Sequence, residues 1–210
     1  MLSSTVMHDA RSQDRRQRRG IVLLTILCEG GLCGLAWLFA YWWDVPLWQS
    51  LSWNTGDLLL GMLSCVPLLV FFFVCLRWPV GPLQSIKRFC RDIIVPLFRP
   101  CTWYELAAIA FMAGVGEETL FRGVLQVVLS RWLGLATALV VVSALFGLLH
   151  LITPAYALLA GLMGFYLGWL WIATGTLTVP VVAHGLYDFV ALFYLVRAPG
   201  MPAPVNPTEP

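Results

Sequence analysis

Charged side chains are scarce in this sequence: only 11% of its 210 residues are Asp, Glu, Lys or Arg. Ordinary soluble domains carry about 25%, and here 60% of the residues are hydrophobic. The shortage of charge excludes a soluble globular protein and predicts an integral membrane protein. A chain of this length suits one helical bundle without a separate soluble domain. We expect no nucleic-acid partner.

Familiar hydrolase and metal-site patterns are also missing. The chain has no Gly-x-Ser-x-Gly elbow and no His-Glu-x-x-His zinc motif. Its six cysteines show no paired metal-ligand spacing, and the four that lie in apolar stretches are interpreted as small buried residues: Cys28, Cys33, Cys65 and Cys75. We therefore expect no metal and no other cofactor.

Long apolar stretches predict an all-α fold, a polytopic membrane bundle of about six transmembrane helices. The stretches cover residues 21–43, 58–76, 103–130, 133–152, 155–174 and 177–195. In the fifth, Ala160, Gly164 and Gly168 are four residues apart, which favours close helix packing.

Three further segments flank these helices. Residues 1–20 carry five arginines and are predicted to form a disordered basic cytoplasmic tail. Residues 77–102 mix cationic and apolar side chains between Pro82 and Pro96, which favours an amphipathic helix on the cytoplasmic surface. Residues 198–210 are rich in proline and are predicted to be disordered. The divisions are thus the tail, an N-terminal part over 21–102, a core over 103–197 and the final tail.

The distribution of positive charge predicts the orientation, because cytoplasmic loops carry an excess of Lys and Arg. With six spans and the N-terminus in the cytoplasm, 11 of the 13 Lys and Arg residues lie inside. Only Arg131 lies outside, and Arg122 lies in the membrane. Both termini are therefore expected in the cytoplasm, in a multi-pass protein of the cell membrane, the inner membrane if the source is bacterial.

Polar side chains interrupt three of these apolar stretches. They are Glu117, Glu118 and Arg122 in the third, His150 at the end of the fourth, and His184 and Asp188 in the sixth. A charged side chain near the bilayer centre costs at least about 2.5 kcal/mol, so partners or a function are expected. We interpret the set as one buried polar site. Glu29, in the first stretch, is assigned no chemistry.

Helical spacing gives each stretch a polar face. The pairs Glu118–Arg122, Phe146–His150 and His184–Asp188 are each four residues apart and share a face. Glu117 is turned by about 100° from Glu118, so we expect Arg122 to neutralise Glu118 while Glu117 points elsewhere.

Depth along the helices is consistent for all but one of these groups. Glu117 lies about 20 Å from the inner side and His184 about 10 Å from the outer side, the same level in a core of about 30 Å. His150 lies only about 5 Å from the inner side. The site is therefore expected to open toward the cytoplasmic half.

These residue types support hydrolysis of an amide by direct attack of water. Glu117 and His150 are suited to polarise a water, with the glutamate as general base. His184 is suited to donate a hydrogen bond to the developing oxyanion, with Asp188 fixing its tautomer. No serine or cysteine nucleophile is required.

The motifs Glu117-Glu118-x-x-x-Arg122, Phe146-x-x-x-His150 and His184-x-x-x-Asp188, in this order on successive helices, resemble those of the CPBP family. That family comprises CAAX prenyl endopeptidases and bacteriocin-processing or immunity proteins, often called Abi proteins. The resemblance covers roughly residues 103–195.

The resemblance implies a glutamate-dependent intramembrane endopeptidase that acts on a membrane-associated protein or peptide in the lipid bilayer. The residues implied to be catalytic are Glu117, His150, His184 and Asp188, and those implied to support them are Glu118, Arg122 and Phe146. Prenyl endopeptidases carry asparagine where this chain has Asp188. Because an ionised carboxylate cannot donate a hydrogen bond, Asp188 is expected to orient or charge His184 instead.

Four other interpretations remain open from the sequence. The polar residues would only hold the helices together, or the chain would be a non-proteolytic immunity or scaffold protein that keeps the fold. Zinc held by His150, His184 and Glu117 or Asp188 would make it a metal-dependent hydrolase. A transporter with a proton relay is disfavoured because no inverted repeat is visible. Substrate and oligomeric state are not indicated.

Overall fold

The computed structural model describes residues 2–197, with side chains from residue 15 onward, and it contains helices but no strands in that range. Its seven main helices are α1 (Leu2–Trp42), α2 (Thr55–Arg77), α3 (Leu83–Phe98), α4 (Trp103–Leu133), α5 (Leu135–Leu149), α6 (Pro154–Thr174) and α7 (Thr178–Arg197). The predicted all-α membrane bundle is confirmed. The proline-rich tail lies outside the described residues.

The number of spans differs from the expected six. Four helices are long and apolar enough to cross a membrane: residues Arg15–Trp42 of α1, then α2, α6 and α7. The bent pair α3–α4 raises the number to five if it is counted as one span. α4 contains Glu117, Glu118 and Arg122, which lower its apolar character, and α5 has only 15 residues, about 22 Å of helix against a core of about 30 Å.

The N-terminal segment is helical, so the prediction of a disordered tail over 1–20 is wrong for the described residues. α1 continues without a break from Leu2 into the membrane span. Its basic part also makes contacts with the rest of the protein. Arg18 Nε lies 3.0 Å from Glu105 Oε1, and Gln17 Nε2 donates to the carbonyls of Pro96 and Leu97 at 3.2 Å.

The predicted amphipathic helix is present as α3, which meets α4 at an angle of 117°. Pro82 is its N-cap, as expected, but Pro96 lies within the helix rather than at its end. Arg88 is exposed, whereas Ile86 and Ile94 face an internal cavity. The bend lies between Phe98 and Trp103, and the capping box of Thr102 and Glu105 there starts α4.

Small residues let the helices pack closely around the centre of the bundle. α7 packs against α2 and α4, and α5 packs against α6. A β-carbon at Gly147 of α5 would lie 2.5 Å from the carbonyl oxygen of Ala157 in α6. The predicted small face of α6 is also used, because a β-carbon at Gly164 would lie 3.1 Å from Arg122 Nη2.

Candidate active site

The polar residues of α4 lie where its helical winding changes. An α-helical part ends at Glu118, and residues Thr119–Gln126 form a π-helical turn before the α-helix resumes. π-Helical stretches are rare and often occur at functional sites. Glu118, Arg122 and Gln126, spaced four apart along this segment, are all 0% exposed. They therefore form a fully buried polar stripe inside the bundle.

Glu118 and Arg122 form the expected ion pair. Arg122 Nη1 lies 2.7 Å from Glu118 Oε1, and Nη2 donates to the carbonyl of Gly164 in α6 at 2.8 Å. The guanidinium carbon also lies 4.6 Å from the centre of the Phe146 ring, within cation–π range. Arg122 thus connects α4 to both α5 and α6.

The same glutamate holds a histidine of α7. His184 Nδ1 lies 2.8 Å from Glu118 Oε1. Because a carboxylate only accepts hydrogen bonds, Nδ1 carries a proton and Nε2 faces the other way. α4 and α7 approach closely here, since a β-carbon at Gly114 would lie 2.9 Å from the backbone nitrogen of Gly185.

Asp188 lies beside His184, as expected for a residue that orients or charges this ring, but at the other ring nitrogen from Glu118. We expected it to fix the tautomer of His184, but Glu118 occupies the Nδ1 side of the ring. Asp188 Oδ2 lies 3.3 Å from Nε2 instead. The physical reason is that Asp188 is one helical turn further along α7, where it lines the cavity, whereas Nδ1 points into the closed α4–α7 contact.

His150 lies just after the end of α5, in a non-helical backbone conformation with φ −98°. Its Nδ1 lies 2.8 Å from the carbonyl oxygen of Phe146, which only accepts, so Nδ1 donates. Nε2 therefore faces Glu117, whose Oε1 is 3.8 Å away. The sequence placed His150 at a different depth from Glu117, but in the structure the two side chains lie close together.

Glu117 lies between the two histidines. Its Oε2 is 3.9 Å from His184 Nε2, while Oε1 is 3.8 Å from His150 Nε2. Both separations exceed a direct hydrogen bond and suit a shared bridging group. The structure thus brings together all four residues expected to be catalytic.

A cavity of about 530 Å³ leads to this cluster. Most of its lining is apolar and comes from α2, α3, α6 and α7, and Glu117, His150, His184 and Asp188 also line it. Two phenols of the lining, Tyr156 and Tyr187, were not expected from the sequence. The cavity is therefore suited to an extended apolar group with a cleavable polar bond.

Residues 99–190, which carry every member of the cluster, match the family described as type II CAAX prenyl endopeptidase Rce1-like. This segment belongs to the CAAX protease family. No curated protein and no solved structure gives a significant match to the chain. The apolar helices make the protein a multi-pass membrane protein, and its residues 99–190 are similar to CAAX-type membrane proteases.

Two features of this CAAX protease-family site were not predicted. Gln126 is fully buried, and its Nε2 donates to the Gly168 carbonyl at 3.2 Å. Its position four residues after Arg122 was a visible signal. Glu29 of α1 also lies against α4, beside Gly116. The sequence feature that could have indicated it is the presence of an acidic residue in an apolar span.

Across residues 15–197, no group of three His, Cys, Asp or Glu side chains has an arrangement that holds a metal ion. The histidines instead have polar partners within the protein, Phe146 for one and Glu118 for the other.

Proposed function

We propose that the protein is an intramembrane endopeptidase that hydrolyses a peptide bond of a membrane-associated protein or peptide by direct attack of water. The observation that carries the proposal is the position of Glu117, between His150 and His184 at the polar end of an apolar cavity. Membership of the CAAX protease family supports the same reaction class.

Glu117 and His150 are the groups proposed to activate the water. The Phe146 carbonyl holds the proton of His150 on Nδ1, which leaves a lone pair on Nε2 in the neutral ring. A water between this nitrogen and Glu117 Oε1 donates one hydrogen bond to each. Its own lone pair then points toward a bound carbonyl carbon, the orientation that nucleophilic attack requires.

His184 is proposed to stabilise the oxyanion. Glu118 holds its Nδ1 proton, and Arg122 holds Glu118, so the ring has little freedom to turn. When protonated at Nε2, it donates a hydrogen bond to the oxygen that becomes negative as water adds. Asp188, 3.3 Å from Nε2, stabilises that protonated form and is a positioning residue.

Glu117 both accepts and returns the proton that is transferred in the reaction. As the water oxygen bonds to the carbonyl carbon, one proton passes to the Glu117 carboxylate. When the carbon–nitrogen bond breaks, Glu117 returns this proton to the leaving nitrogen. The products are one carboxyl group and one amine, with no covalent enzyme intermediate.

We place both ends of the chain and the opening of the site on the cytoplasmic side. Ten of the 13 Lys and Arg residues lie in segments 1–20 and 77–102, as cytoplasmic loops require. Contacts at one end of the bundle hold these segments beside the start of α4 and the end of α7: Arg18 pairs with Glu105 of α4, and Arg197 of α7 donates to the carbonyls of Arg99 and Cys101. This arrangement supports a common side for both termini, which requires an even number of spans.

The cavity supports a substrate with a long apolar or lipid-modified segment beside the cleaved bond. Its lining is mainly apolar and extends from α3 to Glu117. The family is described by prenyl endopeptidase activity, and an isoprenoid-like chain fits such a cavity. The cleaved bond would then lie near the cytoplasmic half of the membrane.

The test is a comparison of membrane peptides from cells that carry either the wild type or Glu117→Gln at equal expression. We expect a cut that is present with the wild type and lost with the variant. Glu105→Gln is the matched control, because Glu105 lies on the same helix but does not line the cavity, and glutamine also serves in a capping box. Identical peptide sets from wild type and Glu117→Gln contradict the proposal.

Two further experiments distinguish the proposed function from a metal-dependent hydrolase and from a non-proteolytic protein. Repeating the assay after exhaustive chelation tests metal dependence, with activity expected to persist. If Glu117→Ala and His150→Ala both keep the cellular phenotype at wild-type expression, the protein acts as a non-proteolytic scaffold or immunity protein.

A further inference from the structure

The cavity ends at a definite level on the two helices α2 and α6. On α2 its lining begins at Pro67, and on α6 it stops at Met163, so the earlier part of α2 and the later part of α6 do not line it. α2 leads into α3, and α6 starts beside α3, where the rings of Tyr156 and Phe89 are 6.4 Å apart. Pro67 and Met163 therefore both mark the end of the cavity that lies farthest from α3.

A hydrogen bond joins α2 and α6 about one turn beyond these two residues. The Tyr166 hydroxyl donates to the backbone carbonyl of Ser64 at 2.9 Å. Ser64 lies three residues before Pro67, and Tyr166 lies three residues after Met163. Residues three apart on a helix lie on the same face, one above the other. The two helices are thus fastened to each other directly behind the end of the cavity lining.

A buried apolar cluster of α6 and α7 lies at the same level: Leu167, Leu170, Val179 and Ala183. Tyr166 packs against this cluster, as do Leu68 and Met163, which also line the cavity. α2 approaches α7 closely there as well, because a β-carbon at Gly61 would lie 2.7 Å from Val182 Cβ. The cavity therefore ends against packed side chains on α2, α6 and α7.

This closed end lies beside the proposed catalytic cluster. Glu117 is the last residue of α4 in the cavity lining, and His184 of the lining directly follows Ala183 of the apolar cluster. A bond held at Glu117 and His184 would have most of the cavity on its α3 side and only a short space on the other side. Leu68 and Met163 line that short space.

We propose that Tyr166 and Ser64 form the end wall of the substrate cavity, and that this end wall limits the size of the apolar side chain next to the cleaved bond. The inference rests on the proposed protease function. Leu68 and Met163 contact that side chain, while Tyr166, held by Ser64, blocks longer groups behind them. Tyr166 is thus a specificity-determining residue. Aliphatic side chains of moderate size are accepted at this position, and large aromatic ones are rejected.

The first test locates the end wall without any cleavage. The probe is a tripeptide amide with an N-terminal straight alkyl chain that ends in a diazirine. Probes of graded chain length are photolysed with the full protein in nanodiscs, and adducts are located by mass spectrometry. We expect saturable labelling of Leu68 and Met163 by the longer chains. Leu167 is 0% exposed, so lipid does not reach it, and it should stay unlabelled at every chain length.

Removing the ring should open the end wall. In Tyr166→Ala we expect the longest chains to label Leu167, at a yield at least several-fold above the wild type. Val124, which is 0% exposed elsewhere in the bundle, should stay unlabelled, because only general unfolding would uncover it. Phe165→Ala is the matched control, since Phe165 is 44% exposed on the same helix and does not line the cavity. This control should label as the wild type does.

The second test uses variants of the substrate found by the peptide comparison, with alanine, leucine or tryptophan next to the cleaved bond. We expect wild-type kcat/KM to be highest for leucine and roughly tenfold or more lower for tryptophan, because overpacking is costly. Tyr166→Ala should recover most of the loss with tryptophan. Met163→Phe fills the short space and should shift the preference to alanine. General destabilisation does not produce shifts in opposite directions.

These outcomes separate the two proposals. Labelling of Leu167 in the wild type, or an unchanged labelling pattern in Tyr166→Ala, overturns the end wall whether or not the protein is a protease. The expected labelling in a protein without peptidase activity supports the end wall and contradicts the protease function. Cleavage with the same side-chain preference in the wild type, Tyr166→Ala and Met163→Phe leaves the protease function intact and overturns the role of Tyr166 in specificity.

Discussion

His184 Nδ1 lies 2.8 Å from Glu118 Oε1, the oxygen that also pairs with Arg122 at 2.7 Å. One carboxylate oxygen thus joins the first and the last of the three sequence motifs. The charge of Arg122 therefore reaches the histidine proposed to bind the oxyanion through a single intermediate group. This makes Glu118 more than a local partner of Arg122.

Glu118→Gln should leave Arg122 as a buried charge without its partner. We expect a loss of about 3–5 kcal/mol in the free energy of unfolding, because breaking a buried ion pair is strongly destabilising. Thermal unfolding in detergent measures it. The double variant Glu118→Gln/Arg122→Met removes both charges and should regain much of the stability but none of the activity. Equal stability of the single and double variants contradicts the paired role.

His150→Gln should reduce activity without a matching loss of stability. The side chain of His150 is 29% exposed and lies after the end of α5, so it is less deeply buried than His184, which is 3% exposed. General acid–base groups contribute about 10²–10⁴-fold to the rate, and we expect a decrease in kcat in that range. Peptidase assays and thermal unfolding on the same preparation separate the two effects. Unfolding at a much lower temperature would indicate a structural residue.

Gly116→Ala should separate α1 from α4. The added carbon would lie 2.9 Å from a backbone oxygen of α1, and relief of such overpacking typically costs about 1–3 kcal/mol. Gly30→Ala is the control, because a β-carbon there meets no atom within 4 Å. In that variant the higher helix propensity of alanine should be neutral or stabilising by up to about 1 kcal/mol. The difference between the two midpoints of thermal unfolding is the measurement.

Ala113→Phe should fill part of the cavity. Ala113 belongs to its lining, one turn before Glu117 on α4. We expect KM for a substrate with a long apolar segment to rise at least tenfold, since displaced apolar area costs about 25 cal/mol per Å². Val115→Phe is the control, as Val115 is 42% exposed on the outer face of the same helix. Equal KM values in both variants would place substrate binding elsewhere.

Reporter fusions test the proposed orientation. A fluorescent protein that folds only in the cytoplasm should be active at both the N-terminus and the C-terminus. A phosphatase that requires export should be inactive at both positions and active when inserted near Trp48, in the loop at the end where Arg131 binds the Asp44 carbonyl. Opposite results for the two termini would require an odd number of spans.

Local spacing predicted the contacts within one helix well. The pair Glu118–Arg122 and the Phe146–His150 contact, with ring centres 4.5 Å apart, are both four residues apart in sequence and are both present. The membrane class followed from composition alone. These features depend on a few residues of one helix, and helical geometry determines them.

The spacing of residues along the sequence could not predict which side chains of different helices meet. Glu118 and His184 are 66 residues apart, and their meeting depends on how closely Gly114 and Gly185 let two helices cross. The tautomer of His184 was therefore attributed to Asp188, whereas Glu118 is the residue that contacts Nδ1. The number of helices that are long and apolar enough to span differs from the expected six for a related reason, because apolar composition does not reveal that α5 has only 15 residues or that α3 and α4 meet at a sharp bend.

The π-helical turn over Thr119–Gln126 has a consequence for how the chain tolerates change in length. Such a turn accommodates one residue more than an α-helical turn. Losing one residue there would leave the apolar character and the helix intact. It would nevertheless rotate everything after it by about 100° relative to Glu118. Gln126 would then leave the Gly168 carbonyl of α6, so the angular register of α4 depends on the residue count of this turn as much as on its composition.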